Sequence, residues 1–351
     1  MHTLLRRLAD IESDDLPVLS IYIDMRPQET GARPALRSGL VILKDRLREI
    51  EKTFPPRGDD LDSFKADAVR VERYLEEEWS LAAQGLAVFA CSGRELFETV
   101  EAGVTFENQV SVGPAPDLYQ LARLLDEQET ALVAVVDTNT ARIFATRAGI
   151  MEELGGPDDD PAQYGKRSMG GWSQARYQRH IDETRADFAR EAAAEIELLV
   201  DSEGAGRVVL AGDQVAVPLL RNALSARVTA MVDDHTLRLD IKTPLDQVGD
   251  ESEPLLARAE ADDARSVADR LLDAVRGNGL GVAGPEATRR ALENGQVDEL
   301  LIDPVADLDE DVRAAFVRQA VLTGARVEVV EDHTGFRRLG GVGALLRYRH
   351  G

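Results

Sequence analysis

The sequence predicts an α/β chain built from several successive domains, and three observations carry that prediction. Short apolar runs rich in β-branched residues, at 16–24, 85–91, 131–137 and 207–212, alternate with longer stretches whose apolar residues recur at helical spacing. At 351 residues the chain is long enough for two or three domains of roughly 100–150 residues each. It is 44% hydrophobic and 30% charged, a composition that buries a core and is not that of a disordered chain. The expected division is 1–128, 129–252 and 253–351.

A helix opens the first domain. Leu16-Pro17-Val18-Leu19-Ser20-Ile21-Tyr22-Ile23-Asp24 then reads as a strand after a proline. Leu36, Leu40, Ile42, Leu43, Leu47 and Ile50 predict a helix over 35–53, the Pro55-Pro56 pair breaks it, and a second amphipathic helix is expected over 64–81. Strands are expected at 85–91, 96–101 and 109–112, then a Gly113-Pro114 turn and a helix over 118–126. The second domain begins with the buried-type strand 131–137, turns at Thr138-Asn139-Thr140 and pairs back over 141–146. A charged loop follows, then a helix of roughly 25 residues ending near 200, whose Phe188, Ala192, Ile196 and Leu199 share one face. A strand at 207–212, a helix over 217–224 and a strand at 228–232 complete it. The acidic stretch 246–253 marks the next boundary. Beyond it come helices over 264–276, 285–294 and 311–323, with strands at 297–302 and 326–330.

Charge narrows the function. There are 64 acidic against 41 basic residues, a net charge of −23, so the surface as a whole repels nucleic acid and any RNA contact must be local. Solubility, in a saline cytoplasm for example, accounts for the acidity in general. Neither DNA nor a membrane is an expected partner. The one cysteine, Cys91, sits in an apolar run and reads as a buried strand residue, which excludes a disulfide framework and a cysteine zinc site. The five histidines show no paired metal spacing, and neither a metal nor a cofactor is expected. The first residues are too short and polar for a signal peptide, and no run of about 18 apolar residues occurs. The expected location is the cytoplasm.

Against this acidic background one segment stands out. From Lys166 to Arg179 there are four basic side chains, Lys166, Arg167, Arg176 and Arg179, and no acid, whereas 152–160 carries five acids. Gly170 and Gly171 let the backbone approach a ligand closely, and the helix expected after them offers free N–H groups to phosphate. Arg176 and Arg179 share a helix face and suit bidentate contact with an RNA backbone, while Trp172 is able to stack on a base. An ordinary surface loop with Trp172 folded back on its own domain is the alternative. Two motifs here and elsewhere mislead. Gly279-Leu280-Gly281-Val282-Ala283-Gly284 has dinucleotide-site spacing, but a helix precedes it and Gly277 has the look of that helix's C-cap. Gly171-Trp172-Ser173-Gln174-Ala175 approaches a serine-hydrolase elbow, but a polar loop and not a hydrophobic strand leads into it.

The segment and its surroundings resemble the archaeal and eukaryotic class-1 peptide-release factor family, with Pelota and bacterial homologues among its relatives. Gly170, Gly171, Ser173, Arg176, Tyr177 and Arg179 match the family's loop without a gap. The hairpin 131–146, the strand 207–212, the region 286–302 and the terminal Gly340-Gly341-Val342-Gly343 run resemble the rest of it. The resemblance implies an N-terminal α/β domain of decoding-site type, an RNase H-like middle domain carrying the loop, and a ribosomal-protein-L7Ae-like C-terminal domain that meets a partner. Two departures bear on activity. The family's catalytic glutamine position holds Trp172, and the nearest glutamine is Gln174, two residues on. The region 30–38 lacks the family's Asn-Ile-Lys-Ser stop-codon motif, so codon reading is not expected.

Two functions follow from the resemblance. In one, the protein hydrolyses peptidyl-tRNA at the large-subunit reaction centre. Gln174 would place water, Gly170 and Gly171 would give the loop its reach, and Lys166, Arg167, Trp172, Ser173, Arg176 and Arg179 would contact RNA. In the other, it occupies the aminoacyl site without catalysis, as a rescue or hibernation factor with Trp172 as a wedge. Partners in either case are the ribosome, through rRNA and peptidyl-tRNA, and a translational GTPase. An unrelated acidic α/β protein is the third possibility.

Overall fold

A computed structural model describes residues 2–12, 16–26, 38–77, 83–157 and 174–349. The α/β class holds: three four-stranded sheets follow one another along the chain, each covered by helices. The chain divides into two compact units, one made of residues 1–127 and 260–351 and the other of residues 128–259.

The first unit begins with α1 (His2–Ala9) and β1 (Val18–Asp24), followed by α2 (Ser38–Glu51), α3 (Asp59–Glu77), β2 (Gly85–Cys91), β3 (Leu96–Ala102), β4 (Gln109–Gly113) and α4 (Tyr119–Glu127). The sheet order is β3-β2-β1-β4, all antiparallel. Its two central strands are buried on both faces, which explains their nearly unbroken apolar sequence. On one face Leu19, Ile21, Ile23, Leu86 and Val88 pack against Leu43 and Leu47 of α2 and Phe64, Val71 and Leu75 of α3. On the other, the Tyr22 hydroxyl donates to the Asp117 carbonyl at 2.7 Å, and the Asp117 N–H donates to Ser20 Oγ at 3.0 Å. Cys91 is buried in β2, as its apolar surroundings predict. Helix α3 starts five residues earlier than expected, because Asp59, Asp60 and Asp62 in its first turn suit the positive end of the helix.

The second unit contains β5 (Ala131–Val136), β6 (Ala141–Arg147), β7 (Ile150–Gly155), α5 (Gln174–Glu203), β8 (Arg207–Gly212), α6 (Ala216–Ala223) and α7 (Ala226–Thr229). The sheet order is β7-β6-β5-β8, with β5 and β8 parallel and the other pairs antiparallel. The predicted β5–β6 hairpin forms, and Asp137 Oδ1 fixes its turn by accepting the N–H groups of Asn139 and Thr140 at 2.7 and 2.8 Å. Two expectations are corrected here. The acidic stretch after Arg147 is not all loop, because Ile150–Gly155 pairs with β6 as an edge strand. The residues 228–232 are not a strand. The Ser225 side chain caps α7 by accepting the Val228 N–H, and Val232 keeps a single bridge to Val208. Local capping overrides the β propensity of Val228.

Helix α8 (Leu245–Arg276) has 32 residues and passes through the acidic stretch 246–253 expected to separate domains. The division between the two units falls inside this helix, at 259/260. Val248 in that stretch is fully buried, so the acids are the solvent side of an amphipathic turn and not a linker. The first unit is completed by β9 (Gly281–Ala283), α9 (Pro285–Glu293), β10 (Val297–Ile302), α10 (Glu310–Leu322), β11 (Arg326–Val329), α11 (Thr334–Arg337) and β12 (Val342–Leu346). Its sheet runs β11-β10-β12-β9. Gly277 directly follows the last residue of α8 as its cap, as expected, and the residue at positive φ is the next one, Asn278 (φ 52°). The dinucleotide-like glycine spacing is taken up by β9 itself, so it forms no phosphate-binding loop.

A charged-loop base and the candidate RNA-contact helix

The described residues give the two ends of the candidate segment. Lys166, Arg167, Gly170, Gly171, Trp172 and Ser173 lie outside them. Gln174 is the first residue of α5, Arg176 lies in its first turn, and Arg179, one turn on, is exposed. The structure therefore brings Gln174, Arg176 and Arg179 onto one helix.

The chain leaves the sheet along β7. Gly155 and Gly156 both have positive φ, at 114° and 153°. A Cβ on Gly156 would lie 2.2 Å from the Ala141 carbonyl oxygen, so only glycine fits. Pro157 then accepts the Ala141 N–H at 2.9 Å, which ties the exit of the segment to the start of β6.

Ion pairs brace the same hairpin. Arg142 Nη2 meets Glu153 Oε2 at 2.7 Å, and Arg142 Nη1 donates to the carbonyls of Ile241 and Thr243 at 2.8 and 2.7 Å. The Arg142 guanidinium holds the Glu153 carboxyl below its ordinary range. Arg147 pairs with Glu152 at 2.8 Å and with Glu203 at the far end of α5. Two of the acids read as part of a charged loop are thus the arginine partners of an edge strand. The available signal was only the apolar Ile150, Met151 and Leu154 around the two adjacent acids.

The chain returns through α5, whose first turn holds no acid and so leaves the positive helix end uncompensated within the helix. Phe188, Ala192, Ala193, Ile196 and Val200 bury against Leu132, Ala134, Ile143, Val208 and Leu210 of the sheet. The apolar face named from the sequence is the one that docks. Glu197 Oε1 accepts the Ser225 N–H at 2.8 Å, and Asp201 pairs with Arg227 at 2.9 Å, fixing the later turns against α6 and α7.

Among the described residues, one group of carboxylates is close enough to share a ligand. Oxygens of Asp126, Glu260 and Glu328 lie within 4.8 Å of one another in the first unit. No helix among the described residues is long and apolar enough to cross a membrane.

Residues 116–264 match the family model described as Bacterial archaeo-eukaryotic release factor family 10. The matched region contains the whole second unit and the candidate segment. The chain is 28% identical over 248 residues to the peptide chain release factor subunit 1 of Aeropyrum pernix. That alignment covers 65% of this chain and 64% of the relative, slightly less than two thirds of its length. The chain is thus similar in sequence to release factors over part of its length. Among solved structures it is similar to Pelota of Archaeoglobus fulgidus, at 16% identity, 76% and 80% coverage of the two chains and a TM-score of 0.36. It is also similar to an archaeal Pelota in a model of its ribosome-bound complex with ABCE1, at 15% identity, 100% and 95% coverage and a TM-score of 0.45.

Proposed function

We propose that this protein is a ribosome-binding translation factor of release-factor type that carries residues 166–179 to the large-subunit reaction centre and releases peptidyl-tRNA. One observation carries most of the weight. The family-matched region is the one that holds an acid-free, glycine-containing basic segment between a locked strand end at Gly156 and a 30-residue helix packed along the sheet. Such a base suits a segment that must reach far without distorting its domain. In this proposal Gly170 and Gly171 allow close approach, and Lys166, Arg167, Trp172, Ser173, Arg176 and Arg179 contact rRNA or tRNA. Gln174 offers an amide donor and acceptor for water and for the developing oxyanion. The N-terminal sheet would face the decoding site without reading a stop codon, and the C-terminal sheet would meet a translational GTPase. The cytoplasm is the location this work requires.

The second possibility is occupancy of the aminoacyl site without catalysis, in rescue or hibernation. The specific observation favouring it is Trp172, an indole in the family's glutamine position, which cannot polarise water as an amide does. Release of labelled peptide from purified ribosome–peptidyl-tRNA complexes separates the two. Catalysis predicts release by wild type that falls about 10²–10³-fold in Gln174→Ala, the usual cost of losing one oxyanion-type donor. Background release by both proteins, with ribosome binding retained, would sink the hydrolytic proposal. Trp172→Gln then asks whether a family-type loop restores release.

A further inference from the structure

Three elements meet at a point that neither the fold nor the proposed function requires to be acidic. Asp126 stands near the end of α4, Glu260 on α8 and Glu328 on β11. One carboxyl oxygen of each lies within 4.8 Å of the others. Asp126 Oδ2 also accepts the Val329 N–H at 2.6 Å, so this residue joins the helix after the N-terminal sheet to the edge strand of the C-terminal sheet. Three ionised carboxylates at this separation, each half-buried, repel one another. The energetically simple state is one in which they share a proton.

We propose that Asp126, Glu260 and Glu328 form a proton-shared latch that holds α4 against β11 while a proton remains among them and loosens that junction when it leaves.

The electrostatic surroundings agree. Burial, then Glu328, then Glu260 and Glu127 push the Asp126 carboxyl up to about 9, against the Val329 N–H, which pulls it down. Burial, then Glu260, Glu299 and Asp263 push Glu328 up to about 7, against Arg326. Three arginines on the same elements have acidic partners outside the cluster. Arg326 and Arg270 both pair with Glu299, at 3.2 and 3.1 Å. Arg123 on α4 pairs with Glu127 at 2.5 Å, Glu331 at 2.8 Å and Glu107 at 3.5 Å. Both carboxyls sit above their unfolded values, so the stability they contribute is complete below the ordinary carboxyl range. It declines as pH rises and is gone above about 9.

The test uses the full chain with a chelator present, comparing wild type with Asp126→Asn and Glu328→Gln between about pH 6 and pH 9. Asparagine keeps an acceptor for the Val329 N–H, so the variant retains the backbone tie. The latch predicts that the Tm of wild type falls with pH and that the two variants lose less, the gap widening by roughly 2–4 °C or more. It also predicts that hydrogen-exchange protection at Val329 drops with pH in wild type and holds in Asp126→Asn. Parallel Tm–pH curves in all three proteins would overturn it. So would a Tm rise with magnesium or calcium at neutral pH that is present in wild type and absent from both variants, because the cluster would then be a cation site.

Discussion

At the scale of single residues, the segment's exit depends on Gly156 and its return on Gln174. Replacing Gly156 with alanine drives a Cβ into the Ala141 carbonyl and puts a side chain at φ 153°. We expect Gly156→Ala to cost about 1–3 kcal/mol, read as a lower urea midpoint. Ribosome binding should weaken with it, because the hydrogen bond from Ala141 to Pro157 shares the same turn. The sequence showed which residues of this segment are chemically unusual: a pair of glycines, four cations and no acid. It did not show that Gly155 and Gly156, fifteen residues upstream, form the rigid exit. Their role comes from where the strand ends, with Gly155 opposite Ile143 and Gly156 against the Ala141 carbonyl, and a strand partner cannot be read from local composition.

Helix α5 is the element that carries the end of the charged stretch onto the packed sheet. Its Phe188 side chain, 5% exposed, is the first large buried side chain of the helix among the described residues. Truncation to alanine should cost about 3–5 kcal/mol, as large-to-small changes in packed cores do. Circular dichroism melting should show the loss, with peptide release or ribosome binding lost before global unfolding. Periodicity made this helix and its apolar face legible, as the apolar runs did for β1, β2, β5 and β8. The failures share a cause. Strand β7 is an edge strand whose outward side chains are acids paired with Arg142 and Arg147. The stretch 228–232 has β-branched residues, yet a serine cap draws Val228 and Thr229 into a helical turn. The acids 246–253 look like a boundary, yet they are the wet face of a helix that buries Val248. In each case a tertiary or capping contact overrode composition.

Across the whole molecule, charge is distributed against the proposed task except where it is needed. A net charge of −23 disfavours RNA in general, so binding must be concentrated in the basic segment and be strongly salt-dependent. Packing adds what hydropathy alone left out. The N-terminal and C-terminal sheets share one compact unit, joined by Arg318 to the Ala9 carbonyl at 2.9 Å, by Arg123 to Glu331, and by Asp126 to the Val329 N–H. All three ties span 200 or more residues of sequence, beyond the reach of any local pattern. In the latch proposal, the acidic cluster at the last of them makes that junction respond to pH.

The central claim is that this chain binds ribosomes through residues 166–179. Its most direct test is quantitative co-sedimentation with purified ribosomes over a range of salt, comparing wild type with Arg176→Ala/Arg179→Ala. We predict that wild type binds at low salt, and that the double variant binds about tenfold or more weakly with a salt slope reduced by about one per arginine removed. Absence of wild-type binding, or binding that is indifferent to both salt and the two arginines, would contradict the account.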